Sequence, residues 1–181
     1  MTLRVIAGRF KGRKLEAPPG LETRPLPDRI KQSLFDWLGQ DLTGQSVADV
    51  CAGSGSFACE ALSRGARLVH AIESGRHAIP VLQANHRALG SPKELRIHTR
   101  DIQQVLPMLK DLDLIFCDPP FPWFSADPAA LTAMLTLAKA ALAPDGMLLV
   151  RGERGEHLPP VPGLSESERR EYGRSWIACL G

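Results

Sequence analysis

Five short apolar runs, interleaved with stretches of helical spacing, occupy residues 46–150 and restrict the fold more than any other feature of the sequence. A strand that is apolar at successive residues is buried on both faces, and parallel strands need crossovers that helices supply. Ser46–Val50, Leu68–Ile72, Leu95–His98, Leu112–Cys117 and Gly146–Val150 are the expected strands. Helices are expected over about residues 56–64, 77–89, 102–110 and 129–142, the first two ending near Gly65 and Gly90. Residues 168–173 and 174–180 add a closing antiparallel pair. The expectation is an α/β protein with a seven-stranded, mostly parallel sheet and helices on both faces.

A different kind of segment precedes the alternation. Leu3–Gly8 and Arg13–Ala17 flank the turn-like Arg9-Phe10-Lys11-Gly12, which reads as a β-hairpin with a basic tip. Thr23-Arg24-Pro25-Leu26-Pro27 is extended, because a residue before proline avoids the helical region. Asp28 is placed to cap a helix to about Leu38, with Ile30, Leu34, Trp37 and Leu38 on its apolar face and Arg29 and Lys31 off it. Residues 1–40 therefore read as an extension and residues 41–181 as the main domain. Net charge is only +2, yet residues 1–34 carry eight Lys/Arg against three Asp/Glu. That asymmetry suits a polyanionic partner.

Composition narrows the class. With 44% hydrophobic and 23% charged residues the chain reads as an ordinary globular protein. No run approaches the ~20 apolar residues of a membrane span, and no signal-peptide pattern opens the sequence. Cys51, Cys59, Cys117 and Cys179 lie in apolar segments without a Cys-x-x-Cys pair, as expected of reduced core residues in a cytoplasmic protein. The five histidines are scattered, so no metal is expected.

Chemistry concentrates where the strands end. Asp118-Pro119-Pro120-Phe121 follows the fourth strand, and its prolines stop the ladder and stiffen the turn. A nucleobase amine is a poor nucleophile because its lone pair is spread into the ring. An acidic side chain and the carbonyl of the next residue can accept both amino hydrogens and aim that lone pair at an electrophile. Phe121 would stack on the base. At the end of the first strand, Asp49-Val50-Cys51-Ala52-Gly53-Ser54-Gly55 opens a Gly-rich turn of the type that lets backbone approach a ligand. Glu73, after the second strand, is placed for two ribose hydroxyls, and Asp101, after the third, for an adenine amine. Nicotinamide and S-adenosylmethionine sites share that much. Asp49 favours the second, since a carboxylate repels a pyrophosphate and suits the cationic methionine end.

Asp49-x-x-Ala52-Gly53-Ser54-Gly55 and Asp118-Pro119-Pro120-Phe121 together resemble class I methyltransferases acting on an exocyclic amine. Three N-terminal stretches, 4–15, 23–25 and 28–38, resemble the RsmD family of bacterial guanine-N2 methyltransferases of small-subunit (16S) ribosomal RNA. The resemblance implies a Rossmann-like methyltransferase fold with an N-terminal hairpin and helix, using S-adenosyl-L-methionine. It implies that Asp118 and the Pro119 carbonyl orient the guanine amine in a turn stiffened by Pro120, with Phe121 against the flipped base. Glu73 would hold the ribose, Asp101 and the Ile102 amide would read adenine, and Asp49, Ala52, Gly53 and Gly55 would line the cofactor. Arg4, Arg9, Lys11, Arg13, Arg24 and Arg29 would meet ribosomal RNA. A monomer acting on an assembling small subunit, without metal or membrane, is the implied setting. Leu26-Pro27 and the apolar Pro122-Trp123-Phe124 depart from the family pattern, and the tail beyond Glu153 has no sharp match.

Rival readings start from the same residues. A DNA adenine-N6 methyltransferase uses this kind of tetrapeptide, but no insertion here is large enough for a DNA-recognition domain. A non-catalytic RNA-binding module would not need every strand-end residue. Protein-glutamine methylation goes with Asn before Pro-Pro, and no hydride-transfer constellation supports a dehydrogenase. Cys117 reads as a core residue, not as a nucleophile for pyrimidine C5.

Overall fold

The computed structural model describes residues 3–18 and 26–181. Its elements are β1 (Leu3–Arg4), β2 (Lys14–Leu15), α1 (Asp28–Leu38), β3 (Ser46–Val50), α2 (Ser56–Ser63), β4 (Leu68–Ile72), α3 (Ala78–Ala88), β5 (Leu95–His98), α4 (Ile102–Val105), β6 (Leu112–Cys117), α5 (Pro122–Ser125), α6 (Pro128–Ala141), β7 (Leu142–Glu153), β8 (Glu166–Tyr172) and β9 (Ser175–Leu180). The main sheet runs β5-β4-β3-β6-β7-β9-β8, with β9 antiparallel to both its neighbours and the first five strands parallel. This is the seven-stranded sheet expected from the alternation, with the tail supplying the closing pair.

Because side chains alternate across a strand, the sheet divides its apolar residues between two cores. Val47, Leu114, Phe116 and Leu149 face Phe35, Phe57, Leu62 and Leu82 of α1, α2 and α3. Ala48, Val50, Ile115 and Leu148 face Val105, Leu131, Met134 and Ala138 of α4 and α6. On the first side Phe57 stacks on Phe116 at 4.4 Å and on Phe35 at 5.3 Å between ring centroids. That stack fixes α1 and α2 against the strand that carries Asp118. Among the described residues no helix is long and apolar enough to cross a membrane.

Three local expectations are corrected. The helix expected over 102–110 is one turn of α4 followed by a 3₁₀ turn, Leu106–Met108, where Pro107 lacks the N–H an α-helix would use. Asp28 does not cap α1: it is the first helical residue, and its carboxylate meets Arg4 Nε at 2.9 Å. Lys31 is not off the buried face but fully buried, donating to the Arg4 carbonyl at 2.6 Å and to Ser56 Oγ at 3.1 Å. Its aliphatic stem packs with the apolar stripe while its ammonium finds a polar pocket, a combination hydropathy alone does not show.

That pocket is what docks the N-terminal hairpin. β1 and β2 pair antiparallel, in register Leu3 with Leu15. Glu60 of α2, fully buried, accepts from Ile6 N at 2.9 Å and Ala7 N at 3.0 Å, while Arg9 N donates to the Ser63 carbonyl at 2.9 Å. Gly8 sits at φ +76° with its α-carbon so close that an added Cβ would overlap the Ser63 carbonyl oxygen. Only glycine fits this approach.

Candidate functional site

A cleft of about 390 Å³ opens where β3 and β6 lie side by side. From β3 the sheet grows outward through β4 and β5 on one side and through β6 and β7 on the other. The crossovers diverge at this switch point and leave a crevice at the strands' carboxyl ends. Asp49, Ala52, Gly53, Glu73, Asp101, Ile102, Asp118, Pro119, Pro120 and Phe121 all line it. Gly55 does not: it precedes α2 at φ +72°, and a Cβ there would stand 2.3 Å from Leu82 Cδ1. It lets α2 pack closely on α3.

The Gly-rich turn is held from three sides. Glu73 accepts from Gly53 N and from Gly75 N, each at 2.7 Å, which joins the turns after β3 and β4. Asn85 of α3, almost wholly buried, donates to the Ser54 carbonyl at 2.8 Å and pairs with both backbone groups of Glu16 at 2.7 and 3.0 Å. Asp49, buried at the end of β3, accepts from Ala58 N at 3.0 Å in the first turn of α2. Burial pushes the Asp49 carboxyl well above the usual range against that hydrogen bond, and the carboxylates of Asp118 and Glu73 add to the rise. Asp101 caps α4 through Gln103 N at 2.8 Å and remains exposed at the cleft wall.

Asp118 leaves β6 with its N–H on the Val50 carbonyl at 3.1 Å. The short helix α5, unforeseen in the sequence, takes its first acceptors from Pro120 and Phe121, through Trp123 N at 2.9 Å and Phe124 N at 3.0 Å, and not from Pro119. Burial raises the Asp118 carboxyl, and Arg151 beside it draws it back down. Arg151 of β7 donates from Nη1 to Asp118 Oδ2 at 2.9 Å. Sequence reasoning missed this residue, although a charge continuing the apolar run Leu148-Leu149-Val150 was the available signal. Cys51, expected as a core residue, is instead half-buried and lines the cleft, where it holds a left-handed φ of 61°, a conformation uncommon outside glycine. Cys117 is fully buried and its thiol is pushed far up by burial, which disfavours a thiolate nucleophile.

The basic residues do not gather at the cleft. Arg9 lies 3.7 Å from Glu94, ahead of β5, and the hairpin tip packs against the last turn of α2. Since α2 rises about 12 Å over its length, Arg9 and Lys11 lie toward the edge of the sheet opposite the cleft. Arg4, Arg13 and Arg29 are exposed on the hairpin and α1. Arg24 falls outside the described residues. Pro18 and Leu26, either side of that stretch, line the cleft.

The cleft suits a cation-bearing nucleoside cofactor. Four carboxyl groups, Asp49, Glu73, Asp101 and Asp118, line it against two arginines, Arg76 and Arg151, and a Cβ at Gly53 would project into open space with nothing within 4 Å. Among the described residues no cluster of three metal-ligating side chains occurs.

Over residues 3–180 the sequence matches a family described as Conserved hypothetical protein 95. YlbH of Bacillus subtilis (strain 168) is 32% identical over 183 residues, which cover 97% of each chain. Ribosomal RNA small subunit methyltransferase D of Escherichia coli (strain K12) is 30% identical over 88% of this chain and 79% of its own. Among solved structures, that of yhhF from Escherichia coli superposes with a TM-score of 0.82 at 29% identity, covering 99% of this chain and 97% of the other.

Proposed function

The chain belongs to the family described as Conserved hypothetical protein 95, the RsmD family of ribosomal RNA small subunit methyltransferases, and on that premise we propose that it methylates the N2 amine of a guanine in 16S ribosomal RNA. The observation that carries the proposal is the placement of Asp118-Pro119-Pro120-Phe121 beside Asp49, Gly53 and Glu73 in one switch-point cleft. Bound there, S-adenosylmethionine supplies an electrophilic methyl group on a sulfonium. Glu73 would hold its ribose, Asp101 and the Ile102 amide its adenine, and Asp49 its cationic methionine end.

The protein's own work is positioning. The target base leaves its stack and lies against Phe121. One Asp118 oxygen and the Pro119 carbonyl accept the two amino hydrogens and turn the lone pair toward the methyl group. As the new C–N bond forms and the methyl–sulfur bond breaks, the amine acidifies, so Asp118 would take the displaced proton without being a strong base. Holding such near-attack geometry can be worth ~7–11 kcal/mol of the barrier. The basic hairpin and α1 would take RNA phosphates some distance from the target base, and an assembling small subunit would present them together.

Labelled S-adenosylmethionine, incubated with unmodified small subunits, naked 16S RNA and duplex DNA, tests the proposal. N2-methylguanosine in either ribosomal substrate is the expected product by mass spectrometry. N6-methyladenine in DNA, or transfer to nothing, would overturn it.

Asp49 adds a pH signature. Its carboxyl is neutral over a raised range in the free protein, whereas a cationic ligand favours the carboxylate. Cofactor binding should therefore release a proton and tighten as pH rises through the free-protein pKa. Calorimetry in buffers of different ionisation enthalpy reads that proton, and Asp49→Asn should remove both the release and the pH dependence.

A further inference from the structure

Beside Asp118 stands a buried arginine to which the reading above gives no part. Cys117 is paired in register with Val150, so the residue after each, Asp118 and Arg151, leave adjacent strands together. The Arg151 side chain is 4% exposed, with Nη1 2.9 Å from Asp118 Oδ2, Nη2 3.4 Å from Ser175 Oγ, and Cζ 6.0 Å from the Phe121 ring centre. It therefore adjoins both the acceptor of the amine and the ring expected to stack on the base.

Guanine and adenine present different edges to such a site. Guanine offers two adjacent donors, N1–H and N2–H, whereas adenine offers one donor, N6–H, and one acceptor, N1. A carboxylate accepts only, through about four lone-pair sites, so it matches guanine's pair even with one site taken by Arg151. A protonated carboxyl donates once and accepts once, which matches adenine. The amine itself is accepted from either base; the discrimination lies at N1, where an ionised Asp118 meets a donor in guanine and a second acceptor in adenine. Resting on the functional reading above, we propose that Arg151 is a specificity-determining residue, holding Asp118 as an oriented carboxylate so that the pocket takes guanine and rejects adenine.

The surroundings leave this task to Arg151. Burial favours the neutral form of Asp118, and Arg151 opposes it both as a charge and as a hydrogen-bond donor. Arg76 and His77 also line the cleft, from the turn after β4, but the charge that acts on Asp118 is Arg151. The other titratable groups that interact with Asp118 are Asp49, Cys51 and Cys117. None of these can carry a positive charge. Ser175 anchors the guanidinium from β9, which fixes the direction from which Asp118 is held.

The test compares wild type with Arg151→Met and Arg151→Lys. Binding of single-stranded RNA carrying one guanine or one adenine is measured with S-adenosylhomocysteine present, and the pH profile of transfer is recorded. Arg151→Met should lose about 10- to 100-fold of the preference for guanine, the discrimination carried by one good paired contact. Its acidic limb should move to higher pH, since Asp118 then ionises later. Arg151→Lys, which keeps the charge, should restore most of the limb. Unchanged preference and an unmoved limb in Arg151→Met would overturn the proposal. Should Arg151→Met not fold, Asp118→Asn decides: its amide donates and accepts, so adenine should be bound better than guanine, and a retained guanine preference is the overturning result. Failure of the functional reading is seen separately, as absence of guanine transfer by the wild type.

Discussion

Asp118→Ala is expected to abolish methyl transfer, by at least about 10²–10³-fold, as removal of a preorganised group at the reacting centre does, while cofactor affinity stays near that of the wild type. The separation follows from the site. Asp118 faces the cleft just after β6, whereas the groups that would hold the cofactor come from the end of β3 (Asp49) and from the turns after β3, β4 and β5 (Gly53, Glu73 and Asp101). Their bonds to one another, Gly53 N to Glu73 and Ala58 N to Asp49, do not pass through Asp118. Arg151 loses its carboxylate partner in this variant, so a fall in thermal midpoint accompanies the loss of activity. Calorimetric titration of the cofactor beside a transfer assay checks the prediction. Parallel loss of both would mean that Asp118 belongs to the cofactor site and not to the amine.

Glu60→Ala carries the largest expected loss of stability, about 3–5 kcal/mol in urea unfolding, the usual cost of removing one partner of a buried ion pair. Glu60 is fully buried with Lys31 Nζ at 3.5 Å and Arg64 Nε at 2.9 Å. It also accepts the Ile6 and Ala7 amides, so its loss takes the buried carboxylate from two cations and the acceptor from two backbone donors at once. Hydrogen exchange should then speed at Ile6 and Ala7 before it does in β3 or β6. A variant within about 1 kcal/mol of wild type, as an ordinary surface substitution would be, would show that the cluster contributes only orientation.

Much of the candidate site was legible because it is built from strand ends. Once the apolar runs are recognised, a parallel sheet sends Asp49, Glu73, Asp101 and Asp118 to one edge without further information. The hairpin, the closing antiparallel pair and the turn glycines were readable for similar local reasons. The illegible parts share a different character. Lys31 reads as a surface residue by hydropathy and is buried because Glu60 and the Arg4 carbonyl await it from other elements. Arg151 reads as a strand residue of no particular meaning until the register of β6 with β7 sets it against Asp118. The basic tip reads as an arm for a polyanion with no place assigned to it, until Glu60 and Ser63 pin the hairpin along α2, with Arg9 and Lys11 toward the edge opposite the cleft.

What the sequence by itself determined is therefore the order of the elements and the chemistry offered at each strand end, because periodicity and turn propensity act over a few residues. What only the tertiary structure decided is which charges meet. Asp118 and Arg151 are 33 residues apart and Glu60 and Ile6 are 54 apart. A buried charge is stable only beside its partner, and that partner is chosen by sheet register and helix docking, which no short stretch of chain encodes.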